Sequence, residues 1–127
     1  MSFGAERLEH VTIVVTDVDR ARTFYGGILE LTEVPRPKSF DFPGTWYQMG
    51  PTFLHLLGKP QADGTSARHF CLWVRDVQSA ARHAQDAGCE VKWEAKHKIP
   101  GIDRFFLYDP DGNRVEIQGD DVPAAGQ

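Results

Sequence analysis

The sequence has few of the features that mark a secreted or membrane protein. It contains only two cysteines, Cys71 and Cys89, and no Cys-x-x-Cys pair, which argues against a disulfide-stapled fold. No stretch approaches the roughly 18 apolar residues of a transmembrane helix. The N-terminal segment lacks the basic-then-apolar pattern of a secretory signal. We therefore expect a cytoplasmic protein with both thiols free.

The chain also lacks an excess of positive charge. Its formal net charge is −4, whereas a nucleic-acid surface needs clustered cations to displace counterions. With 127 residues, of which 41% are hydrophobic, it is long enough to bury the core of one domain. A small molecule is the expected partner, and neither nucleic acid nor membrane is expected.

What the sequence does contain is an internal repeat. One segment starts at His10 and continues VTIVVTDV, and another starts 59 residues later at His69 and continues FCLWVRDV. Each half also ends in an apolar strand with a polar residue at its centre, His55 in LHL and Glu116 in VEI. Self-similarity at a fixed offset is typical of duplicated supersecondary units.

Within each half, the pattern predicts the order β-α-β-β-β. Asp17 and Asp76 suit the N-caps of the two helices, and we expect the first helix to end at Gly26-Gly27 and the second near Gly88. Strands are predicted at 8–15, 31–34, 45–49, 53–57, 68–74, 89–94, 103–108 and 113–118. The result is a single α+β domain with module one at about 7–58, module two at about 67–118 and a disordered tail at 119–127.

These motifs together resemble the vicinal oxygen chelate superfamily, which includes glyoxalase I, extradiol dioxygenases and the fosfomycin- and bleomycin-resistance proteins. The matching segments are LEHVTIVVTDV, FLHL, ARHFCLWVRDV and RFFLYDPDGNRVEI. The resemblance implies two βαβββ modules whose sheets form an open cup around a divalent metal, often completed across a homodimer. It does not specify the reaction, because function must be argued from the site.

Strand alternation predicts that His10, His55, His69 and Glu116 share the face opposite the apolar residues. A single strand histidine is more often a hydrogen-bonded polar residue, but matched positions in a repeat favour one metal site. Imidazole with carboxylate suits a divalent ion: Zn²⁺, Ni²⁺, Mn²⁺, Co²⁺ or Fe²⁺.

The resemblance implies particular roles for these residues. His10, His69 and Glu116 match a two-histidine, one-carboxylate ligand set, while His55 stands where many relatives have Glu or Gln and is either a ligand or an acid/base group. Glu116 or His55 would then move the proton.

Substrate contacts are open to two interpretations. Trp46 and Phe105 either line the cup or belong to the core. Arg104 belongs to a basic stretch that is either a solvated edge or a rim that attracts an anionic substrate.

Three functions remain from this reasoning. The first is a metal-dependent lyase or isomerase of glyoxalase type, in which the ion stabilises an enolate or enediolate. The second is an Fe²⁺ extradiol-type dioxygenase, which is disfavoured because Phe105 or Phe106 replaces a tyrosine that the ring-cleaving relatives place before the final strand. The third is a metal-free drug-binding protein, which is disfavoured because such proteins usually lack the full ligand set.

Overall fold

The computed structural model describes residues 2–121, and the chain divides into two compact units at residues 1–62 and 63–127. The first unit contains β1 (His10–Val15), α1 (Val18–Arg22), a π-helical segment (Thr23–Ile28), β2 (Thr32–Val34), β3 (Gly44–Met49) and β4 (Thr52–Gly58). The second contains β5 (His69–Trp73), α2 (Val77–Asp86), β6 (Lys92–Trp93), β7 (Ile102–Tyr108) and β8 (Arg114–Asp120). Two βαβββ modules are therefore present, as the repeat predicts.

Each unit folds around one four-stranded mixed sheet. The strand orders are β1-β4-β3-β2 and β5-β8-β7-β6, so that the first strand of each unit pairs with its last. That pairing is parallel, whereas the other pairs are antiparallel. The same topology therefore places the N-terminal strand of each repeat beside its C-terminal strand, where the predicted polar positions lie.

Alternation along the last strand of each unit separates a core face from a polar face. Leu54 and Leu56 are 0% and 2% exposed, and Val115 and Ile117 are equally buried in the second unit. Burial of an aliphatic side chain of this size contributes about 1.5–3 kcal/mol. The register of the strands is therefore fixed, because a slip by one residue would expose these side chains.

The first helix does not end at its glycines, which corrects the sequence-based expectation. After α1 the backbone widens into a π-helical segment in which the amide of Leu29 donates to the carbonyl of Phe24. The widening buries Phe24 and Tyr25 together, with ring centroids 4.8 Å apart. Packing of these two rings outweighs the helix-ending tendency of Gly26 and Gly27.

Strand β6 is shorter than the predicted strand at 89–94. Only Lys92 and Trp93 pair with β7, because the next side chain ends the strand. The Glu94 carboxylate accepts hydrogen bonds from the backbone amides of Lys96 and His97, at 3.1 and 3.2 Å, and these bonds close a turn.

The predicted hairpin between the last two strands is present. The Asp109 carboxylate accepts from the amides of Asp111 and Asn113, and Gly112 takes a positive φ of 85° that a side chain would strain. Strand β8 runs to Asp120, two residues past the predicted strand end at 118 and into the predicted tail, and residues 122–127 lie outside the described residues.

No helix in residues 2–121 combines the length and the apolar character needed to cross a membrane.

Candidate functional site

In the first unit, three rings stack on the polar face of the sheet. Trp46 lies directly across from His55 in the β3–β4 register, and their rings are 4.0 Å apart and nearly parallel, at 4°. The other face of the His55 ring packs on His10, at 4.2 Å and 17°. The structure thus brings together two of the predicted ligands and the predicted substrate contact, and it holds His55 between two flat neighbours.

The proton of His10 is fixed by a neighbour that the sequence pattern did not single out. Its Nδ1 lies 2.8 Å from Oε1 of Glu9. Because an ionised carboxylate can only accept, Nδ1 carries a proton and Nε2 points away from Glu9. Histidines that bind a metal usually donate their other ring N–H to an oxygen in this way.

The environment of His55 favours its neutral form. Burial lowers the pKa of His55 below its usual value, and the nearby His10 lowers it further, although Glu9 opposes the shift. No described residue forms a hydrogen bond with its ring nitrogens. A neutral imidazole with free nitrogens can bind a metal ion or accept a proton.

The long loop before β3 extends the ring stack with aromatic side chains. Phe40 contacts Trp46 edge to face, with centroids 5.3 Å apart, and Phe42 lies 5.3 Å from Phe40. The guanidinium of Arg36 lies over both phenyl rings and donates to the Phe42 carbonyl at 2.7 Å. The rings are more than a third exposed, so an ordered apolar wall adjoins the histidines.

In the second unit, His69 and Glu116 form a direct pair. Nε2 of His69 lies 2.9 Å from Oε1 of Glu116, and the side chains are 31% and 7% exposed. Nδ1 of His69 lies 2.9 Å from the Ala67 carbonyl, which can only accept, so Nδ1 carries a proton. The repeat-matched histidines therefore both commit Nδ1 to an oxygen and direct Nε2 elsewhere.

The other oxygen of Glu116 is occupied by Arg104. Nη1 of Arg104 lies 3.4 Å from Oε2 of Glu116, and Nη2 lies 3.5 Å from Oε1 of Glu94. The same Nη2 donates to the carbonyl of His97 at 2.5 Å. Hydrogen bonds from the amides of His97 and Lys96 hold the pKa of Glu94 below its usual range. Arg104 thus lies beside Glu116, but its terminal nitrogens already contact Glu94, Glu116 and the His97 carbonyl.

Cys71 lies across from Glu116 in the β5–β8 register, and its surroundings disfavour the thiolate. Burial raises the pKa of the Cys71 thiol to about 11, and the charge of Glu116 adds to the shift. The thiolate form that attacks or binds metals is therefore scarce near neutral pH.

The structure places Phe105 away from the other candidates. Phe105 is fully buried and lies opposite Ile117 on the core face, against Trp93. Phe106 instead lies directly across from Glu116, and its ring packs edge to face on His69 at 5.5 Å. Counting from the hairpin turn would have identified Phe106, because the turn fixes which residues face each other.

Two more residues that sequence reasoning passed over border this face. The Arg114 guanidinium lies 3.8 Å from the centroid of the Phe106 ring, and Glu94 holds Arg104 from the far side. Neither is among the residues matched between the two halves, so no periodic signal pointed to them.

Each unit supplies part of a possible set of metal ligands. Two ligand atoms about 2.1 Å from one ion and at a right angle are about 3 Å apart, close to the 2.9 Å between His69 and Glu116. Among residues 2–121, no group of three or more His, Cys, Asp and Glu side chains is gathered for metal binding. Each unit by itself therefore supplies a pair of candidate ligands.

Comparison with known proteins finds the same fold and one family. The model of the Glyoxalase/Bleomycin resistance protein/Dioxygenase superfamily matches residues 7–117. A protein of Arabidopsis thaliana named Glyoxylase I 4 is 25% identical, over 94% of this chain and 76% of its own length.

Two solved structures show how widely the fold is shared. A glyoxalase family protein from Bacillus anthracis superposes with a TM-score of 0.86 at 24% identity, covering 94% of this chain and 99% of that one. A fosfomycin resistance protein from Listeria monocytogenes, complexed with Mn(II) and a dihydroxypropylphosphonic acid, superposes with a TM-score of 0.78 at 16% identity. The alignment covers 96% of this chain and 95% of that one.

Proposed function

Because the chain belongs to the Glyoxalase/Bleomycin resistance protein/Dioxygenase superfamily, we propose that it is a metal-dependent enzyme of the glyoxalase-like lyase or isomerase type. Its substrate is a small molecule with two adjacent oxygens. The observation that carries the proposal is the shared arrangement of His10 and His69. Each histidine donates Nδ1–H to an oxygen, which leaves Nε2 as the proposed ligand atom; in His69 that atom already lies beside the proposed carboxylate ligand, Glu116.

The proposed ligands are His10, His69 and Glu116, with Zn²⁺, Ni²⁺, Mn²⁺, Co²⁺ or Fe²⁺ as the ion. Two imidazoles and one carboxylate leave coordination positions open for substrate oxygens. The ion, when bound, supplies Lewis-acid stabilisation of an enolate or enediolate. The fosfomycin resistance protein from Listeria monocytogenes that superposes on this chain is complexed with Mn(II), which supports a divalent ion in this fold.

Proton transfer is assigned to His55 rather than to Glu116. Glu116 is assigned to the ion instead, and its oxygens also contact His69 and Arg104, whereas the ring nitrogens of His55 have no such assignment. His55 is neutral at pH 7 because its pKa is lowered. Stacking between Trp46 and His10 fixes the plane in which its nitrogens exchange a proton.

Substrate selection is assigned to the side chains around these groups. Trp46 and Phe40 form an apolar wall next to His55, and Phe106 takes the part predicted for Phe105. Arg114 lies over Phe106 and supplies positive charge for an anionic substrate, whereas the terminal nitrogens of Arg104 are directed to Glu94 and Glu116.

The ligand set draws on both modules, and we propose that two copies of the chain complete it as a homodimer. Each sheet has its histidine-bearing strand, β1 or β5, at one end of its strand order, and such strands favour pairing with a partner. Sedimentation equilibrium should give twice the mass of the chain. A monomer at all working concentrations would contradict the dimer. The cytoplasmic location stays a prediction.

The test of function is metal analysis combined with a substrate screen. The purified protein, loaded anaerobically with each of the five ions, should retain close to one ion per chain. His10→Gln and His69→Gln should each lose most of that metal, whereas His83→Gln, on α2, should retain it as a matched control. Stoichiometry near zero in the wild type would refute the metal-dependent function and favour metal-free binding.

The screen then separates the remaining reactions. Hemithioacetals and epimerisable carbonyl compounds test the lyase or isomerase, and catechols with Fe²⁺ and oxygen test the dioxygenase. His55→Gln should abolish turnover while keeping more of the metal than His10→Gln does. Equal metal loss in both variants would instead make His55 a ligand.

A further inference from the structure

A continuous series of polar contacts connects the turn after β6 with His69. Nδ1 of His69 donates to Ala67, and Nε2 of His69 meets Oε1 of Glu116. Oε2 of Glu116 meets Arg104, which in turn contacts Glu94 and the His97 carbonyl. Every step lies within the second unit, so the position of His69 and Glu116 depends on groups outside the predicted ligand set.

The far end of this series is rigid. Glu94 is anchored by two backbone amides through one carboxylate oxygen, and its own amide donates to the Arg104 carbonyl at 3.2 Å. The side chains of Glu94 and Arg104 are only 19% and 15% exposed. The guanidinium is therefore fixed by the turn as well as by Glu116, and its planar fork can satisfy acceptors on two sides at once.

We propose that Arg104 is a positioning residue for Glu116, an inference that rests on the proposed metal site. Arg104 holds Oε2 of Glu116 by a hydrogen bond, and Oε1 is therefore the oxygen that faces His69 and the metal. Glu116 is thereby a ligand through one oxygen, and the Glu94 turn sets where that oxygen lies.

Cobalt(II) binding to the full chain tests this role, because its visible absorption reports the number and geometry of the ligands. Arg104→Gln should raise the Kd for Co(II) by about 10- to 100-fold, as loss of groups that orient metal ligands typically does. Its absorption spectrum should also change, because the released carboxylate can bind through both oxygens. Glu94→Gln should change the Kd and the spectrum in the same direction but less, because Glu94 acts on Glu116 only through Arg104.

A matched variant controls for the loss of charge. Arg82→Gln removes one guanidinium from α2, where it contacts Ser79, and should leave both readouts unchanged. Arg104→Lys keeps the charge but has one nitrogen, so it should recover part of the affinity and not the spectrum. An Arg104→Gln protein with unchanged Kd and spectrum would overturn the proposal. If Arg104→Gln fails to fold, an unchanged Kd and spectrum in Glu94→Gln would overturn it instead.

A wild type that binds no Co(II) would refute the metal site, and the role of Arg104 would then be read in the metal-free protein. The ring ¹⁵N resonances of His69, which meets Glu116 directly, should shift in Arg104→Gln and, more weakly, in Glu94→Gln. Unchanged resonances in both variants would overturn the positioning role independently.

Discussion

Replacement of Glu116 by glutamine should destabilise the protein even without metal. The substitution preserves the shape of the side chain but removes the charge that faces His69 and Arg104, at 2.9 and 3.4 Å. Glu116 is 7% exposed and Arg104 is 15% exposed, so water cannot readily replace the lost partner. The guanidinium would keep a single carboxylate partner, Glu94.

The size of the effect follows from the burial of the partners. Removing one member of a buried ion pair typically costs about 3–5 kcal/mol. His69 is 31% exposed and Gln still offers an acceptor, so we expect about 2–3 kcal/mol for Glu116→Gln. For a domain of this size that corresponds to a Tm lower by roughly 8 °C.

Thermal unfolding followed by circular dichroism, in the presence of a chelator, measures this quantity. Glu90→Gln is the control, because Glu90 is 79% exposed and its one ion pair among residues 2–121 is with Lys92, at 3.7 Å. Its Tm should stay within about 2 °C of the wild type, since surface pairs contribute little. If Glu116→Gln also melts within about 2 °C of the wild type, the buried network does not stabilise the fold and the reasoning fails.

Three further predictions concern single groups. The pKa of Asp76 is lowered by hydrogen bonds from Ser79, so its contribution is present above the pKa of the unfolded chain and lost as pH falls through the folded value. The Tm difference between wild type and Asp76→Ala should therefore be several degrees at pH 7 and should vanish in acid; a difference that persists in acid would contradict this. Cys71, with its pKa raised to about 11, should react with iodoacetamide at pH 8 about 100-fold more slowly than a thiol of ordinary pKa, and a rate equal to that of an ordinary thiol would refute the raised pKa. Because the pKa of His55 is lowered, kcat/KM of the loaded enzyme should be level at pH 7 and fall only at pH values below the usual histidine range, whereas a rise between pH 7 and 9 would assign the base elsewhere.

The sequence was sufficient to predict the two βαβββ modules, because the patterns that mark their strands and helices are local and occur twice. The strand starts at His10 and His69 repeat, and apolar alternation around His55 and Glu116 determines their face without knowledge of the fold. Helix N-caps at Asp17 and Asp76 were likewise predictable, and both side chains accept a backbone amide hydrogen as expected.

What the sequence could not supply came from tertiary contacts. Packing of Phe24 and Tyr25 against the sheet carried the first helix past Gly26-Gly27, and no local pattern anticipates that. The face of Phe105 depended on the register of β7 against β8, which places Phe106, and not Phe105, across from Glu116. Arg104 was expected either on a solvated edge or on a rim that attracts an anion, and it instead contacts the carboxylates of Glu94 and Glu116.

The parallel pairing of first and last strands also has a consequence for how the chain matures. His69 and Glu116 are 47 residues apart in sequence, and β5 cannot pair with β8 until the whole module has been synthesised. Closing so long a loop is slow compared with forming a helix or a hairpin. A nascent chain halted before β8 would have β5 and α2 but no His69–Glu116 pair. If the proposed metal site exists, a divalent ion could therefore bind this pair only after the module is complete, and it would stabilise the finished fold rather than nucleate it.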